Sequence, residues 1–398
     1  MSWQSVTLGD HAALIRGVTY KPADIRDYLE HGAVACMRTK NVQEQLDQSD
    51  IVGIPGEIVK RSDKILRAGD ILVSSANSWN LVGKCCWVPQ LDYQATAGGF
   101  ISILRPKDEK LDNRYLYHWF SSGAVQHVVR SFGNKTTNIS NLSHKRCLGM
   151  KIPLPPLDEQ KRIAKILDEA DALRAKRRES LAQLDALLQS AFLDLFGDPV
   201  ENPKKWKTLP FSEVGSFKSG GTPSKANNLY WGEGFPWVSP KDMKVDRVYE
   251  SKDSITSLAL SETNMRLVDP GHILIVVRGM ILAHSFPVAV NNVSVAINQD
   301  MKAIRPIESI NSDYLLYCLK AKKREVMDLV SSAGHGTRRF DRNAMNELQV
   351  PVPDIALQEK FSILCNSLQK QKIRLVKYAE ELNGLFGALQ TKAFSGEL

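Results

Sequence analysis

The sequence predicts an α+β protein written twice: two mixed α/β globular domains separated by two long helices, the helices paired as an antiparallel coiled coil with an approximate two-fold relation between the halves. Three observations predict it. Landmarks recur in the same order at an offset of about 200 residues. Each half ends in a stretch of nearly 40 residues that reads as helix. Each of these stretches carries a narrow apolar stripe at three- and four-residue steps.

The landmarks are paired as follows. Trp3 answers to Trp206, and Ala68-Gly69-Asp70-Ile71-Leu72-Val73 to Pro270-Gly271-His272-Ile273-Leu274-Ile275. Arg105-Pro106 answers to Arg305-Pro306, and Tyr115-Leu116 to Tyr314-Leu315. Pro153-Leu154-Pro155 matches Pro351-Val352-Pro353, and Ala191-Phe192 matches Ala393-Phe394. The order is kept, which isolated coincidences would not do. The boundaries that follow are a first globule over 1–152, a hinge and long helix over 153–198, a second globule over 199–350, and a second hinge and helix over 351–398.

Within each globule, short apolar runs alternate with Gly-, Asn- and Ser-rich turns, the pattern of a mixed α/β fold. Ile273-Leu274-Ile275-Val276-Val277 reads as a buried strand. After Pro155-Pro156, Asp158 can cap a helix and Glu159 favours its N-terminus. From there to Phe196 neither Pro nor Gly interrupts. The predicted seam runs through Ile163, Ile166, Leu173, Leu184 and Leu187 on the first helix. On the second it runs through Phe361, Leu364, Leu368, Leu375, Leu382 and Leu389. Pairing the two helices antiparallel hides both stripes. Arg174, Lys176, Arg177 and Arg178 interrupt the first helix and leave two readings open, a solvated face or a basic stretch held near a phosphate backbone.

Composition bounds the function. The 398 residues are 43% hydrophobic and 24% charged, ordinary for a globular protein of two or three domains. A net charge of +8 favours polyanionic partners moderately. None of the six cysteines forms a C-x-x-C pair, so buried thiols in a reducing cytoplasm are expected. The N-terminus shows no basic-then-apolar signal segment. The most apolar stretch, residues 273–290, is broken by Arg278, His284 and Pro287 and is too short to span a bilayer.

Catalytic signatures are missing. Gly133-Asn134-Lys135-Thr136 lacks the Gly-Lys adjacency and upstream glycine of a phosphate loop. Gly232-Glu233-Gly234 runs into Phe-Pro-Trp rather than a helix start, so it is no dinucleotide or S-adenosylmethionine loop. Neither an Asn-Pro-Pro-aromatic run, an H-E-x-x-H nor a G-x-S-x-G occurs. No residue is assigned a catalytic or metal-binding role.

DNA reading needs phosphate contacts for affinity and base-edge contacts for specificity. Each half carries a segment suited to both at the same place. In the first it is Lys135, Thr136, Thr137 and Asn138 after Gly133-Asn134, followed by His144, Lys145 and Arg146. In the second it is His335, Thr337, Arg338 and Arg339 among glycines, followed by Arg342. A further candidate is Lys218-Ser219-Gly220-Gly221-Thr222-Pro223-Ser224-Lys225, ahead of the aromatics Tyr230, Trp231, Phe235 and Trp237, which pack it down. The first half offers no clear copy of that segment, only Arg16-Gly17-Val18-Thr19-Tyr20-Lys21-Pro22.

At these residues the chain resembles the specificity subunit of type I restriction–modification systems over essentially its whole length. The most specific part is Pro153-Leu154-Pro155-Pro156-Leu157-Asp158-Glu159-Gln160-Lys161-Arg162-Ile163. Gly-Gly-Thr-Pro-Ser with Trp237-Val238, and the ending Lys392-Ala393-Phe394-Ser395-Gly396-Glu397-Leu398, are similar too. The second hinge, Pro351-Val352-Pro353-Asp354, departs by lacking the double proline. The resemblance implies two target-recognition domains reading a split DNA site, with the helices as spacer and as docking surface for two methyltransferase subunits. It implies a translocase–nuclease subunit for cleavage, and S-adenosylmethionine, ATP and Mg on partner subunits, with no cofactor on this chain. Two other readings stand beside it: a coiled-coil scaffold with protein- or glycan-binding ends, and a methyltransferase or nuclease with an unrecognised site.

Overall fold

The computed structural model describes residues 3–135, 139–332 and 337–398. The chain divides into two compact units, one of residues 1–178 with 377–398 and one of residues 179–376.

In the first unit a four-stranded antiparallel sheet runs in the order Ala12–Arg16, Ile101–Pro106, Ile71–Ser74, Cys85–Trp87. A three-stranded sheet (Val52–Pro55, Ala33–Met37, Ala95–Ala97) accompanies it. In the second unit the same central order recurs as Gly215–Ser219, Met301–Pro306, Ile273–Val276, Val288–Asn291, with Arg247–Val248 added at the edge. Each unit also closes with a two-stranded ribbon, Ser5–Thr7 on Lys151–Pro153 and Thr208–Pro210 on Gln349–Pro351. Three of the landmark pairs, at Ile71/Ile273, Arg105/Arg305 and Pro153/Pro351, therefore occupy matching strands, and two, at Tyr115/Tyr314 and Phe192/Phe394, matching helices. All four residues of Ile273–Val276 are fully buried, which accounts for the unbroken apolar run there.

The two long helices span Leu157–Phe196 and Ile355–Ser395. The first begins at Leu157, so Asp158 lies in its first turn, where a carboxylate complements the helix dipole, and does not cap it. Within the first unit, Arg162 donates to the Leu398 carbonyl at 2.9 Å and Arg174 to Asn383 Oδ1 at 2.7 Å, so the two helices run antiparallel there. Within the second unit, Phe192 meets Phe361 with ring centres 5.6 Å apart and Lys372 pairs with Asp185 at 2.6 Å, again antiparallel.

Each unit thus receives the start of one long helix and the end of the other. Tyr115, Trp119 and Phe120 pack on Ile163, Leu167 and Ala393 in one core. Tyr314 and Cys318 pack on Phe361, Cys365, Leu188, Phe192 and Phe196 in the other. The duplicated Ala-Phe pairs have matching tasks. Phe394 meets Tyr115 edge-on at 5.4 Å, and Phe192 stacks on Tyr314 at 5.7 Å.

The predicted seam of the first helix holds only in part: Ile163 is fully buried and Leu184 packs half-buried against a core. Leu173 is 57% exposed and Leu187 50% exposed, and Ile166 is half-buried. The inward face instead follows Ile163, Leu167, Arg174, Leu188 and Phe192. A three-residue step from Ile163 chose Ile166 where the helix buries Leu167, and one residue is about 100° of rotation. Midway along the helix the half-buried positions mix Arg174, Arg177 and Arg178 with Leu181 and Leu184, while Leu173 and Leu187 face outward. On the second helix Phe361 and Leu368 are buried, and Leu364, Leu375, Leu382 and Leu389 are half-buried.

Arg174 pairs with Asp171 at 2.6 Å and lies over the Phe386 ring at 4.4 Å; Arg178 pairs with Glu44 at 2.8 Å. Both cations are engaged within the unit, a third outcome beside the two readings left open for this cluster.

A buried glutamine ties each globule to its helix. Gln160 accepts from the Asp112 amide at 2.9 Å and donates to the carbonyls of Lys110 and Pro155. Gln358 accepts from Asn311 at 2.8 Å and donates to Ser309 and Pro353. Tyr115 and Tyr314 add matching bonds to the carbonyls of Pro153 and Pro351. The second hinge keeps this latch without a double proline.

Charge pairs have diverged between the units. In the first, Arg105 grips buried Asp70 with two bonds of 2.6 Å. In the second the Asp70 position is His272, buried with Nε2 unbonded, and burial followed by nearby Lys218 holds its pKa below the usual histidine range. Arg305 is exposed there, and the buried pair is Arg247 with Asp313.

Candidate nucleic-acid interface

The central sheet of each unit has two ends. One faces the latch: Asn113, beside the Gln160-bonded Asp112, donates to Gly69 just ahead of the strand Ile71–Ser74. The candidate binding residues collect at the other.

In the second unit, Lys218 and Ser219 end their strand opposite Ala303 and Lys302, and Lys302 donates to Ser219 Oγ at 3.0 Å. Asp300, just before Met301, pairs with Arg278 at 2.6 Å. Arg278 bridges Arg339, and the Gly279 amide donates to the Arg338 carbonyl at 3.0 Å. The Lys218 segment and the hairpin Ser331–Ser332/Arg338–Arg339, far apart in sequence, thus lie at one end of one sheet. Lys218, Ser219, Thr222, Lys225, Arg339 and Arg342 are exposed there, or nearly so, and Thr337 and Arg338 are half-buried. Thr222 bonds Gln299. His335 lies outside the described residues.

The first unit repeats the plan. Arg16 ends its strand opposite Ser102, and Ser102 Oγ bonds His144 Nε2 at 3.0 Å. Burial, then the Arg16 charge, lowers the His144 pKa, favouring neutral imidazole. The strands Gly133–Lys135, Ser140–Leu142 and Ala76–Asn77 form a ribbon beside it. Lys145 and Arg146 are exposed on the short helix His144–Leu148, with Arg146 over the Phe132 ring at 4.4 Å. Lys135 closes its strand, while Thr136, Thr137 and Asn138 lie outside the described residues.

The first half does carry a counterpart of the Gly-Gly-Thr segment. A Cβ on Gly220 would lie 2.2 Å from the Asn298 carbonyl oxygen, and one on Gly17 would lie 2.2 Å from that of Gly98. The next amides make matching bonds, Gly221 to Ile297 at 2.9 Å and Val18 to Ala97 at 2.7 Å. Arg16-Gly17-Val18-Thr19 is therefore the structural equivalent of Ser219-Gly220-Gly221-Thr222, and only one glycine is shared because only that position touches backbone so closely. In the second unit, Trp237 Nε1 donates to Gly221 at 3.0 Å and Trp231 to Ser224 at 3.2 Å, pinning the segment. Gly17→Ala and Gly220→Ala are each expected to cost about 1–3 kcal/mol, since backbone oxygens cannot step aside. Urea unfolding of the full chain checks this, and unchanged midpoints would refute the close approach.

Sequence reasoning missed Ser102 and Arg278, and it named Arg16 and His144 without the partners the fold gives them. For Arg278 the signal was the strand match itself: extending Leu72-Val73 onto Leu274-Ile275 carries Ala76-Asn77 onto Arg278-Gly279.

Among the described residues no group of His, Cys, Asp or Glu is placed to hold a metal, and no helix is long and apolar enough to cross a membrane. Burial pushes the thiols of Cys36, Cys86, Cys147, Cys318 and Cys365 up to about 12, which keeps them protonated.

Residues 1–184 and 203–381 match the family described as Type I restriction modification DNA specificity domain. The chain is 31% identical over 297 residues to the Escherichia coli type I restriction enzyme EcoR124I/EcoR124II specificity subunit, covering 71% of each. It is 26% identical to the EcoKI specificity subunit of Escherichia coli strain K12, over 68% of this chain and 60% of that one. Its fold is similar to the S subunit of a type I restriction–modification system from M. genitalium, with TM-score 0.55 and 18% identity over 99% of this chain and 96% of that one.

Proposed function

The chain belongs to the type I restriction modification DNA specificity family, and we propose that it reads a bipartite DNA site with one recognition surface on each unit. It does so without a catalytic site of its own. Methylation of adenine and cleavage fall to partner subunits that carry S-adenosylmethionine, ATP and Mg in the cytoplasm.

The observation that carries this reading is the repetition of a basic, amide-rich sheet end in both units. Phosphate contacts come from Lys145 and Arg146 in the first, and from Lys218, Lys225 and Arg342 in the second. Arg338 and Arg339, on a short hairpin, have the reach to meet base edges.

Partner docking falls to the long helices. In the first unit Leu173, Tyr378 and Leu385 are exposed, and in the second Leu187, Ile363 and Ile373, with Leu385 and Ile363 reaching 67% and 70%. Open apolar side chains recurring along both helices support a docking role for these helices. Two methyltransferase subunits, joined by restriction subunits for cleavage, are the partners the family implies.

The test is selection from randomised duplex DNA by the full-length chain at several salt concentrations. A split motif is expected, with affinity falling as salt rises. Arg338→Ala with Arg339→Ala should weaken binding through one half-site by roughly 1–3 kcal/mol for each base no longer read, and relax that half only. A chain that binds all duplexes alike defeats the reading.

A further inference from the structure

Beside each basic hairpin lies a short loop whose large apolar side chains point away from the core. In the first unit residues 78–81 link Asn77 to Val82, and Trp79 and Leu81 are 46% and 44% exposed. In the second, Met280 follows Gly279 and is 61% exposed. The residue that ends each excursion is fully inward: Val82 at 0% and Leu282 at 1%. The loops are equivalent by their anchors. Asn77 pairs with Ser140 of the first ribbon, and Gly279 bonds Arg338 of the second.

Both loops are held firmly. The amides of Leu81 and Val82 donate to Ser78 at 2.9 and 3.0 Å, and the Ser78 amide bonds Asn77 Oδ1 at 2.8 Å. Leu282 donates to the Gly279 carbonyl at 3.3 Å, and Gly279 has φ of +132°, a conformation L side chains rarely adopt. Apolar groups on a rigid loop that the core does not use are at odds with a loop built only for solvent. Their neighbours select the occupant. Arg278, Arg338 and Arg339 border Met280, and the ribbon beside Trp79 leads into His144, Lys145 and Arg146. An apolar tip within a cationic rim matches a duplex groove, where phosphates meet the rim and thymine methyls or base faces meet the tip.

We propose that Trp79 with Leu81 in the first unit, and Met280 in the second, are specificity-determining apolar contacts to the bases of their own half-sites. This rests on the DNA-reading function above. It adds the chemistry that the basic residues lack: discrimination at thymine-containing positions by contact rather than by hydrogen bonding.

The experiment compares the full-length chain with Trp79→Ala and Met280→Ala in selection from randomised duplex DNA, followed by titration of the selected site. Trp79→Ala is expected to weaken binding roughly tenfold or more and to relax one position of the first half-site alone. Met280→Ala should do the same in the second half-site, and Trp79→Phe should restore most of the first. The untouched half-site reports that each variant is folded. A split motif in the parent chain that both alanine variants reproduce unchanged overturns the inference while leaving the DNA reading intact, as would a protein occupant of these tips. Weakening spread equally over both half-sites overturns it as well. A parent chain with no split motif sinks the underlying function instead.

Discussion

Asp313→Ala is expected to destabilise the second unit by about 3–5 kcal/mol. Asp313 is 5% exposed, and the Arg247 side chain it pairs with is 11% exposed. Its second oxygen accepts from Ser362 Oγ at 2.5 Å, on the long helix Ile355–Ser395. It also lies in the first turn of the helix Ser312–Ala321, where the dipole favours a carboxylate. Truncation leaves a guanidinium buried without its counter-charge, and that loss outweighs the modest net worth of the pair itself. Asp313→Asn keeps the volume and an acceptor for Ser362, so its cost should be smaller. Calorimetry of the full chain should show the midpoint of the affected transition lowered by roughly 6–20 °C. A shift of a degree or less would mean that solvent screens the pair. In the first unit Asp70→Ala is the matching experiment, because Asp70 is 1% exposed and Arg105 also grips the carbonyls of Asp63 and Ile65.

Exchanging residues 1–152 for the corresponding segment of another family member is expected to replace the first half of the DNA motif entirely and leave the second unaltered. Each unit has its own core: the clusters around Tyr115 and around Tyr314 share no residue. The graft must respect one boundary. Tyr115, Trp119 and Phe120 pack against Ile163, Leu167 and Ala393, and the Asp112 amide bonds Gln160, so the donor has to present equivalents to the retained helices. Sequencing of methylated sites in cells carrying the hybrid reads both halves at once. A change in both halves would show that the globules do not read independently.

Much of the candidate recognition surface was legible because duplication supplies an internal comparison. Arg338 and Arg339 were found from a glycine-bounded basic run placed alike in both halves, and Lys218 from its own glycines. Arg278 and Ser102 were not, because a single Arg or Ser within an apolar strand context carries no local signal; only the pairing of Arg278 with Arg339 and of Ser102 with His144 brings them to the surface in question. Gly17 stood out only as an unclear copy because its neighbours differ from those of Gly220, although an added Cβ would meet a carbonyl oxygen at the same distance at both. The exposed tips Trp79 and Met280 share neither residue type nor flanking sequence.

The duplicated plan, the buried strand at Ile273–Val276, the two long helices and the absence of familiar catalytic signatures could all be read from the residues in order. They follow from periodicity, composition and spacing, which are local properties of the chain. Which face of the first helix is covered could not. Leu173 and Leu187 are as apolar as Leu188, and burial of one rather than another depends on the helix's rotation against Phe361 and its neighbours. Folding, too, brought the strand carrying Lys218 and the hairpin carrying Arg339 to one end of a sheet, and Arg16 close to His144. Antiparallel strand pairing joins residues tens of positions apart, and no local pattern records which strand will be the neighbour.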